Sequence, residues 1–253
     1  MKRWLTILLV PLLLLTGAPA TAAITPLPVG PDVDYQLGGT RSVPAEVGIV
    51  VRDRKAEPLP GAYNICYVNG FQTQAEERSF WKKRMTLVLQ RRGKPVVDSA
   101  WNEWLLDLRT AKKRARLARI VGVWTRRCAK DGFDAVEFDN LDSYTRSHGL
   151  LKRKQARAYA HLLVGTAHRA GLAAGQKNLS DLNGRSVGYD FAIAEECGRY
   201  RECGDFVAHY GRRVVSIEYR RKDFSWTCAH FGDRLPVVLR DLDLSPTGVR
   251  EWC

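Results

Sequence analysis

The chain has 253 residues, 45% of them hydrophobic, which is enough for one complete core and close to the usual size of a single barrel of eight parallel strands. Its formal net charge is +13, with 40 basic and 27 acidic residues. Such a basic chain could bind nucleic acid, but it has no zinc-finger or helix-turn-helix pattern, and no aromatic residues alternate with its basic runs. We therefore expect solvated basic helix faces and no nucleic-acid partner.

The first segment has the pattern of a secretory signal peptide rather than of a folded element. Two basic residues precede the apolar run Trp4–Leu15, and small alanine-rich residues follow it. We predict cleavage near Ala22 or Ala23, which would remove residues 1–23 and release residues 24–253 as a single exported domain. The apolar run is too short to span a bilayer comfortably, so no membrane attachment is expected after cleavage.

Eight short apolar segments follow, and each has the character of a buried strand. They are Asp34–Leu37, Val47–Val51, Tyr63–Tyr67, Ala135–Phe138, Leu172–Gln176, Phe191–Ala194, Val214–Ile217 and Val237–Leu239. Helices are predicted between them at Ala75–Gln90, Thr110–Asp131 and Lys152–Ala170. Strands that alternate with helices indicate an α/β fold, and we predict a single (β/α)8 TIM-like barrel.

The six cysteines all lie after the signal segment, and their even number in an exported chain favours disulfides. Cys197 and Cys203 are close enough in sequence to bridge one loop. The pairing of the other four is left open, and the absence of a C-x-x-C motif makes a zinc site improbable.

Polar side chains follow each predicted strand, and parallel strands place all of these ends at one mouth of a barrel. The acids among them are Glu137, Asp139, Glu195 and Glu196. The candidate substrate-binding residues are Gln36, Arg52, Tyr67, Asn140, Asp142, Lys177, Asn178, Glu218, Tyr219 and Arg240. Side chains alternate along a strand, so Glu137 and Asp139 should share one face while Phe138 takes the other.

Carboxylates from several strands, together with amides and tyrosines, suit glycoside hydrolysis, which needs one carboxylic acid and one carboxylate. The G-x-S-x-G elbow of serine hydrolases and the phosphate-binding glycine motifs are absent from the sequence. A less favoured hypothesis is that calcium or magnesium binds to Asp139, Asp142 and Glu195. We predict no metal and no cofactor.

Several segments resemble the endo-α-1,4-polygalactosaminidase family of glycoside hydrolases (family 114), which has a TIM-barrel-like fold. They are GFDAVEFDNLDSY, GLAAGQKN, YDFAIAEEC and SIEY, while YQLGG, VVRDR, YNICYVNGFQTQ and VVLRD are similar to a secreted actinobacterial branch. The resemblance implies internal cleavage of α-1,4-linked galactosamine polymer or galactosaminogalactan. It also implies that Asp139 and Glu195 are the catalytic acids, with Lys177, Asn178 and Glu218 in the cleft. We assign Asp139 as the nucleophile and Glu195 as the acid/base. Because relatives usually carry glutamine where this chain has Glu196, either glutamate could act.

The alternative hypothesis is a secreted barrel that binds amino-sugar polymer or cell-wall glycan without cutting it. Only the hydrolase needs a carboxyl group with a raised pKa beside an ionised one. We predict an extracellular monomer whose substrate is an α-linked amino-sugar polysaccharide.

Overall fold

The structure, a computed structural model, describes residues 23–253. Residues 1–22 of the predicted signal peptide lie outside the described residues, and only its last residue, Ala23, is described. No helix within 23–253 has the length and apolar character needed to cross a membrane.

Eight parallel strands form a twisted sheet that curls into a barrel, as the sequence predicts. Each strand pairs with the next along the chain, from the first to the eighth. The strands are β1 (Asp32–Gln36), β2 (Val47–Asp53), β3 (Tyr63–Asn69), β4 (Ala135–Asp139), β5 (Ala173–Lys177), β6 (Phe191–Glu195), β7 (Val214–Glu218) and β8 (Val237–Arg240).

The sequence did not predict a ninth strand, β9 (Arg250–Trp252), which pairs antiparallel with β8. Side chains close the seam between β8 and β1. Arg240 on β8 lies 3.4 Å from the Asp34 carboxylate on β1, and the indole of Trp252 donates to the Val33 carbonyl at 2.7 Å. The barrel is therefore closed at this seam by ion pairs and an indole hydrogen bond.

Because successive side chains of a strand point to opposite faces, the barrel has two apolar layers, one inside the ring of strands and one outside it. Inside the barrel lie residues such as Val33, Tyr35, Ile65 and Ile193. The opposite faces pack against the helices, as Phe138 does, while its neighbours Glu137 and Asp139 point inward. The predicted alternation in this strand is confirmed.

The long helices match the prediction closely. They are α2 (Ala111–Asp131) and α3 (Arg153–Arg169), and the side chain of Thr110 caps α2 by accepting the Lys113 N–H. Four shorter helices complete the set: α1 (Arg78–Lys82), α4 (Cys197–Tyr200), α5 (Cys203–Tyr210) and α6 (Arg221–Phe231). Among the described connections, those after β1, β2 and β5 contain no α-helix, so the helical ring is incomplete.

The prediction of one helix over Ala75–Gln90 is wrong. The segment holds 3-10 turns at Ala75–Glu77 and Met85–Leu87 on either side of α1, and then becomes extended. The N–H of Leu89 donates to the Leu105 carbonyl at 2.8 Å, and the Leu89 carbonyl accepts from Val96 at 2.9 Å. These long-range bonds outweigh the local helix propensity and build an insertion between β3 and α2 that forms one wall of the barrel mouth.

Three disulfides join the cysteines, and the predicted Cys197–Cys203 bridge is confirmed. Cys66 on β3 is bonded to Cys128 on α2, and Cys228 on α6 is bonded to the last residue, Cys253. The first of these anchors α2 to the barrel, and the last holds the chain end beside β9.

Candidate active site

A cavity of about 890 Å³ opens at the carboxyl ends of the strands. Eight predicted site residues line it: Tyr67, Asp139, Asn140, Asp142, Lys177, Asn178, Glu195 and Tyr219. This size and position are typical of a substrate site on a parallel barrel.

The backbone explains why three functional residues stand at strand ends. Asp139, Lys177 and Glu195 are the last residues of β4, β5 and β6. The residue after each has a positive φ, at 67° for Asn140, 51° for Asn178 and 56° for Glu196. Such left-handed residues end the strand abruptly, and asparagine is among the few non-glycine residues that adopt this conformation readily.

Lys177 lies at the centre of the site with a side chain only 2% exposed. Its Nζ is 3.3 Å from Asp139 Oδ1, 3.2 Å from Glu195 Oε2 and 3.5 Å from Glu137 Oε1. Burial alone would lower the pKa of Lys177, but these carboxylates raise it well above its ordinary value. The amine therefore stays charged and binds all three acids at once.

Asp139 is held as an ionised carboxylate. Burial by itself would raise the pKa of Asp139, yet the charge of Lys177 and a 2.8 Å hydrogen bond from the Tyr67 hydroxyl lower it overall. The side-chain amide of Asn140 also donates to Oδ2 at 3.3 Å. The arrangement suits a nucleophile or a charge stabiliser.

Glu195 is fixed by two other donors. The Tyr219 hydroxyl donates to Oε1 at 2.5 Å, and the Asn178 amide donates to Oε2 at 3.1 Å. The backbone N–H of Glu195 in turn donates to the Asn178 side chain at 2.8 Å. By contrast, Glu196 turns away from the cavity and pairs with Arg199 at 2.8 Å, so Glu195 is the glutamate of this pair that faces Lys177.

The two cavity acids lie close together. Asp139 Oδ1 and Glu195 Oε2 share Lys177 Nζ at 3.3 and 3.2 Å, so these two oxygens are at most about 6.5 Å apart. Retaining glycosidases hold their carboxyl groups roughly 5–5.5 Å apart, whereas inverting ones leave roughly 6.5–9.5 Å for a water molecule. This upper limit is compatible with the closer, retaining spacing.

Beneath this pair, Glu137 is completely buried. Its Oε1 accepts from Tyr35 at 2.5 Å, and Oε2 has no hydrogen-bond partner among the described residues. Burial raises the pKa of Glu137 to about 7, although Lys177 opposes the shift. Glu137 thus supports the lysine from below.

The chain matches one known protein family over nearly its whole length. The family model of glycoside-hydrolase family GH114 matches residues 15–253, nearly the whole chain. The chain belongs to family GH114.

Solved structures support the same fold for this GH114 chain. Ega3 of Aspergillus fumigatus, solved in complex with galactosamine, is 19% identical with a TM-score of 0.72, and the match covers 94% of this chain and 99% of Ega3. The glycoside hydrolase domain of PelA from Pseudomonas aeruginosa is 16% identical with a TM-score of 0.61, covering 86% and 97%. At these identities the likeness shows the fold alone. No curated protein matches the sequence.

Four predicted binding residues of the GH114 chain are not among the residues that line the cavity. They are Gln36, Arg52, Glu218 and Arg240. Gln36 and Glu218 each lie next to an inward-facing tyrosine, so alternation turns them outward. Gln36 then accepts from Arg52 at 3.0 Å, and Arg240 is buried at the β8–β1 seam.

Glu218 has a structural position behind the site. Its Oε1 accepts from the Gly198 N–H at 2.7 Å and from the Thr227 hydroxyl at 3.0 Å. Burial raises the pKa of this carboxyl. It thereby supports α4 at Gly198, three residues after Glu195.

Other residues of the GH114 cavity come from the β3–α2 insertion rather than from strand ends, and they are not among the predicted site residues. They include Asp98, Trp101 and Glu103. The run Asp98–Trp104, with two tryptophans among acids and an amide, was a usable pattern for a sugar-binding loop. Arg146 binds Asp98 at 3.0 Å and Asp142 at 2.8 Å, which joins this loop to the β4 side of the mouth.

Proposed function

We propose that this GH114 protein is a secreted endo-α-1,4-polygalactosaminidase that cuts internal bonds of galactosamine-containing polysaccharide. The observation that carries the proposal is the bridging of Asp139 and Glu195 by Lys177 at the floor of an open cavity. The galactosamine held by Ega3, a protein of the same fold, supports the choice of sugar.

In the proposed reaction Asp139 is the nucleophile. Its carboxylate attacks the anomeric carbon while Glu195 donates a proton to the glycosidic oxygen, and the bond between that carbon and oxygen breaks. Water then attacks the glycosyl–Asp139 ester, and Glu195 takes up the proton of that water. Two inversions at the same carbon give a product with retained configuration.

The contacts of Asp139 match its proposed role, and those of Glu195 fix its position. Lys177 and Tyr67 stabilise the ionised form of Asp139, as a nucleophile requires. Tyr219 and Asn178 hold Glu195 at a fixed orientation. These donors preorganise both carboxyl groups for the reaction.

An extracellular location for a single domain over residues 24–253 follows from other features. Three disulfides persist in oxidising compartments, and the basic, apolar and small-residue pattern of residues 1–23 is that of a secretory signal. The protein is proposed to act as a monomer without metal or cofactor, because the carboxylate pair and water supply all the reacting groups.

The proposal is tested by the release of reducing ends from purified α-1,4-galactosaminogalactan. Asp139→Asn and Glu195→Gln should each lower kcat by at least about 10³-fold, while Glu196→Gln, a matched control one residue away, should retain activity. Circular dichroism verifies folding. Nuclear magnetic resonance of the first product reports its configuration, and long initial products report internal cutting.

Two results would overturn parts of this proposal. Loss of activity in Glu196→Gln but not in Glu195→Gln would assign the acid/base role to Glu196. A wild-type protein that binds the polymer and releases no reducing ends would be the non-catalytic glycan-binding barrel.

A further inference from the structure

The acids around the cavity differ in whether a cation neutralises them. The catalytic pair shares Lys177, while Asp98 and Asp142 share Arg146. Glu103 lines the same cavity, yet no lysine, arginine or histidine in the part of the chain that the structure describes forms an ion pair with it. Among these cavity acids, Glu103 is therefore the one that no cationic side chain of the described residues neutralises.

Neutral amides hold Glu103 from one side. Its Oε2 accepts from Asn69 Nδ2 at 2.8 Å and from Gln72 Nε2 at 2.9 Å. Within residues 23–253 the other oxygen, Oε1, receives no hydrogen bond, and it is not among the buried unpartnered atoms. One oxygen is therefore fixed while the other remains available to a ligand in the cavity.

Glu103 also stands next to the reacting centre. The side-chain nitrogen of Asn140 lies 3.3 Å from Asp139 Oδ2 and 3.5 Å from Glu103 Oε2. The two carboxylate oxygens are therefore at most about 6.8 Å apart. A sugar unit bound at or beside Asp139 can reach Glu103 with a ring substituent.

The electrostatics agree with this geometry. Burial, together with the nearby charges of Asp139 and Asp98, raises the pKa of Glu103 to about 7, and the amide hydrogen bonds only partly oppose the shift. A buried carboxylate without a cation is unfavourable. An ammonium group on the ligand would supply the missing charge and up to three N–H donors.

We infer that Glu103 is a specificity-determining residue that binds the ammonium group of a galactosamine unit near the cleavage point. The enzyme would then prefer deacetylated over N-acetylated stretches, because acetylation removes the charge that Glu103 pairs with. This inference rests on the proposed function, and it adds the residue that selects the acetylation state. The competing interpretation is purely structural, with Glu103 only tying the insertion to β3 through Asn69.

The test compares kcat/KM for matched oligomers of galactosamine and of N-acetylgalactosamine at neutral pH, in wild type and in Glu103→Gln. The wild type should prefer the galactosamine oligomer, and this preference should fall about 10- to 100-fold in the variant, mostly through KM. That is the usual size of one lost charge-assisted hydrogen bond. Glu103→Asp, which keeps the charge, should recover part of the preference.

Glu77→Gln is the matched control on the same insertion. Because Glu77 does not line the cavity and already pairs with Arg54 and Lys55, any loss should fall equally on both oligomers and leave the preference within about twofold. Thermal unfolding of each variant verifies that the insertion remains folded.

An equal loss on both oligomers in Glu103→Gln would establish the structural interpretation and overturn the inference. An unchanged preference would overturn it as well. If the wild type cleaves neither oligomer, the proposed function has failed, and the same ratio measured as binding affinity by calorimetry then decides the role of Glu103 alone.

Discussion

Lys177 is the residue on which the charge state of the site depends. A single buried amine within 3.5 Å of three carboxylates keeps a cluster of acids compatible with the barrel interior. Without it, neighbouring acids would raise one another's pKa, because like charges disfavour ionisation. The lysine makes it possible for Asp139 to be ionised while Glu195 lies close beside it.

Replacing this amine should change the pH dependence as well as the rate. In Lys177→Met the pKa of Asp139 should rise, because its main stabilising charge is gone. Asp139 then protonates at a higher pH, so the acidic limb of kcat/KM should move upward. We expect kcat to fall roughly 10²–10³-fold.

The pH–rate profile of the purified variant measures both effects on galactosaminogalactan. Lys130→Met, an exposed substitution on α2, serves as the control of the same chemical type. An acidic limb that stays at its wild-type pH would show that Lys177 does not set the ionisation of Asp139.

At the scale of the elements, the turn from β6 into α4 decides where Glu195 stands. Glu196 adopts a left-handed conformation there, and the Cys197–Cys203 bridge closes the next loop. A Cβ at Gly198 would lie 2.8 Å from Glu218 Oε1, which is too close, so only glycine fits. Glu218 thus acts from the outer side of β7 as the support for this turn.

Two substitutions of Glu218 should distinguish the contribution of its charge to stability from that of its hydrogen bonds. Glu218→Gln retains an oxygen that can accept from Gly198, and burial already disfavours the charged form, so its stability should stay within about 1 kcal/mol of wild type. Glu218→Ala leaves a cavity and an unpaired buried N–H, and it should lose roughly 2–4 kcal/mol.

Urea denaturation followed by circular dichroism measures both free energies of unfolding. The alanine variant should also lose activity, since the turn after Glu195 loosens. Equal stability losses in the two variants would mean that the carboxylate charge, rather than the hydrogen bond, supports α4.

At the scale of the whole molecule, basic and acidic residues are concentrated in different regions. The exposed residues of α2 include Lys112, Arg116, Arg119, Arg126 and Lys130, whereas the cavity concentrates acids. A cationic polymer would be repelled by the net charge at long range, but salt screens this beyond roughly 10 Å. Attraction inside the cavity then acts at short range.

The Cys66–Cys128 disulfide should contribute most to global stability among the three bridges. It spans 62 residues and encloses the insertion that forms the cavity wall, whereas Cys197 and Cys203 are only 6 residues apart. Loop-closure entropy predicts losses of about 4 kcal/mol for Cys66→Ala/Cys128→Ala and about 2 kcal/mol for Cys197→Ala/Cys203→Ala.

Guanidinium denaturation of the two double variants gives the comparison, with the wild type as reference. The reverse order of losses would show that loop length does not govern these bridges. Retained activity in the first variant would mean that α1 and the insertion hold the cavity wall without the covalent link.

The sequence by itself determined the barrel, the helices α2 and α3, and the placement of Asp139, Lys177 and Glu195 at strand ends. Apolar runs that end in acids and asparagines carry that information locally. The alternation of Glu137 and Phe138 was also predictable, because it depends only on the strand period of two.

Only the tertiary structure decided which strand-end residues face the cavity. Both faces of a barrel strand are buried, so the sequence does not reveal which of the two alternating sets of side chains points inward. Gln36 and Glu218 belong to the set that points outward, although both are buried. The tertiary structure also decided that Glu103 joins the site. The local pattern marks a possible sugar-binding loop, but the long-range backbone pairing that brings Glu103 to the cavity is not encoded locally.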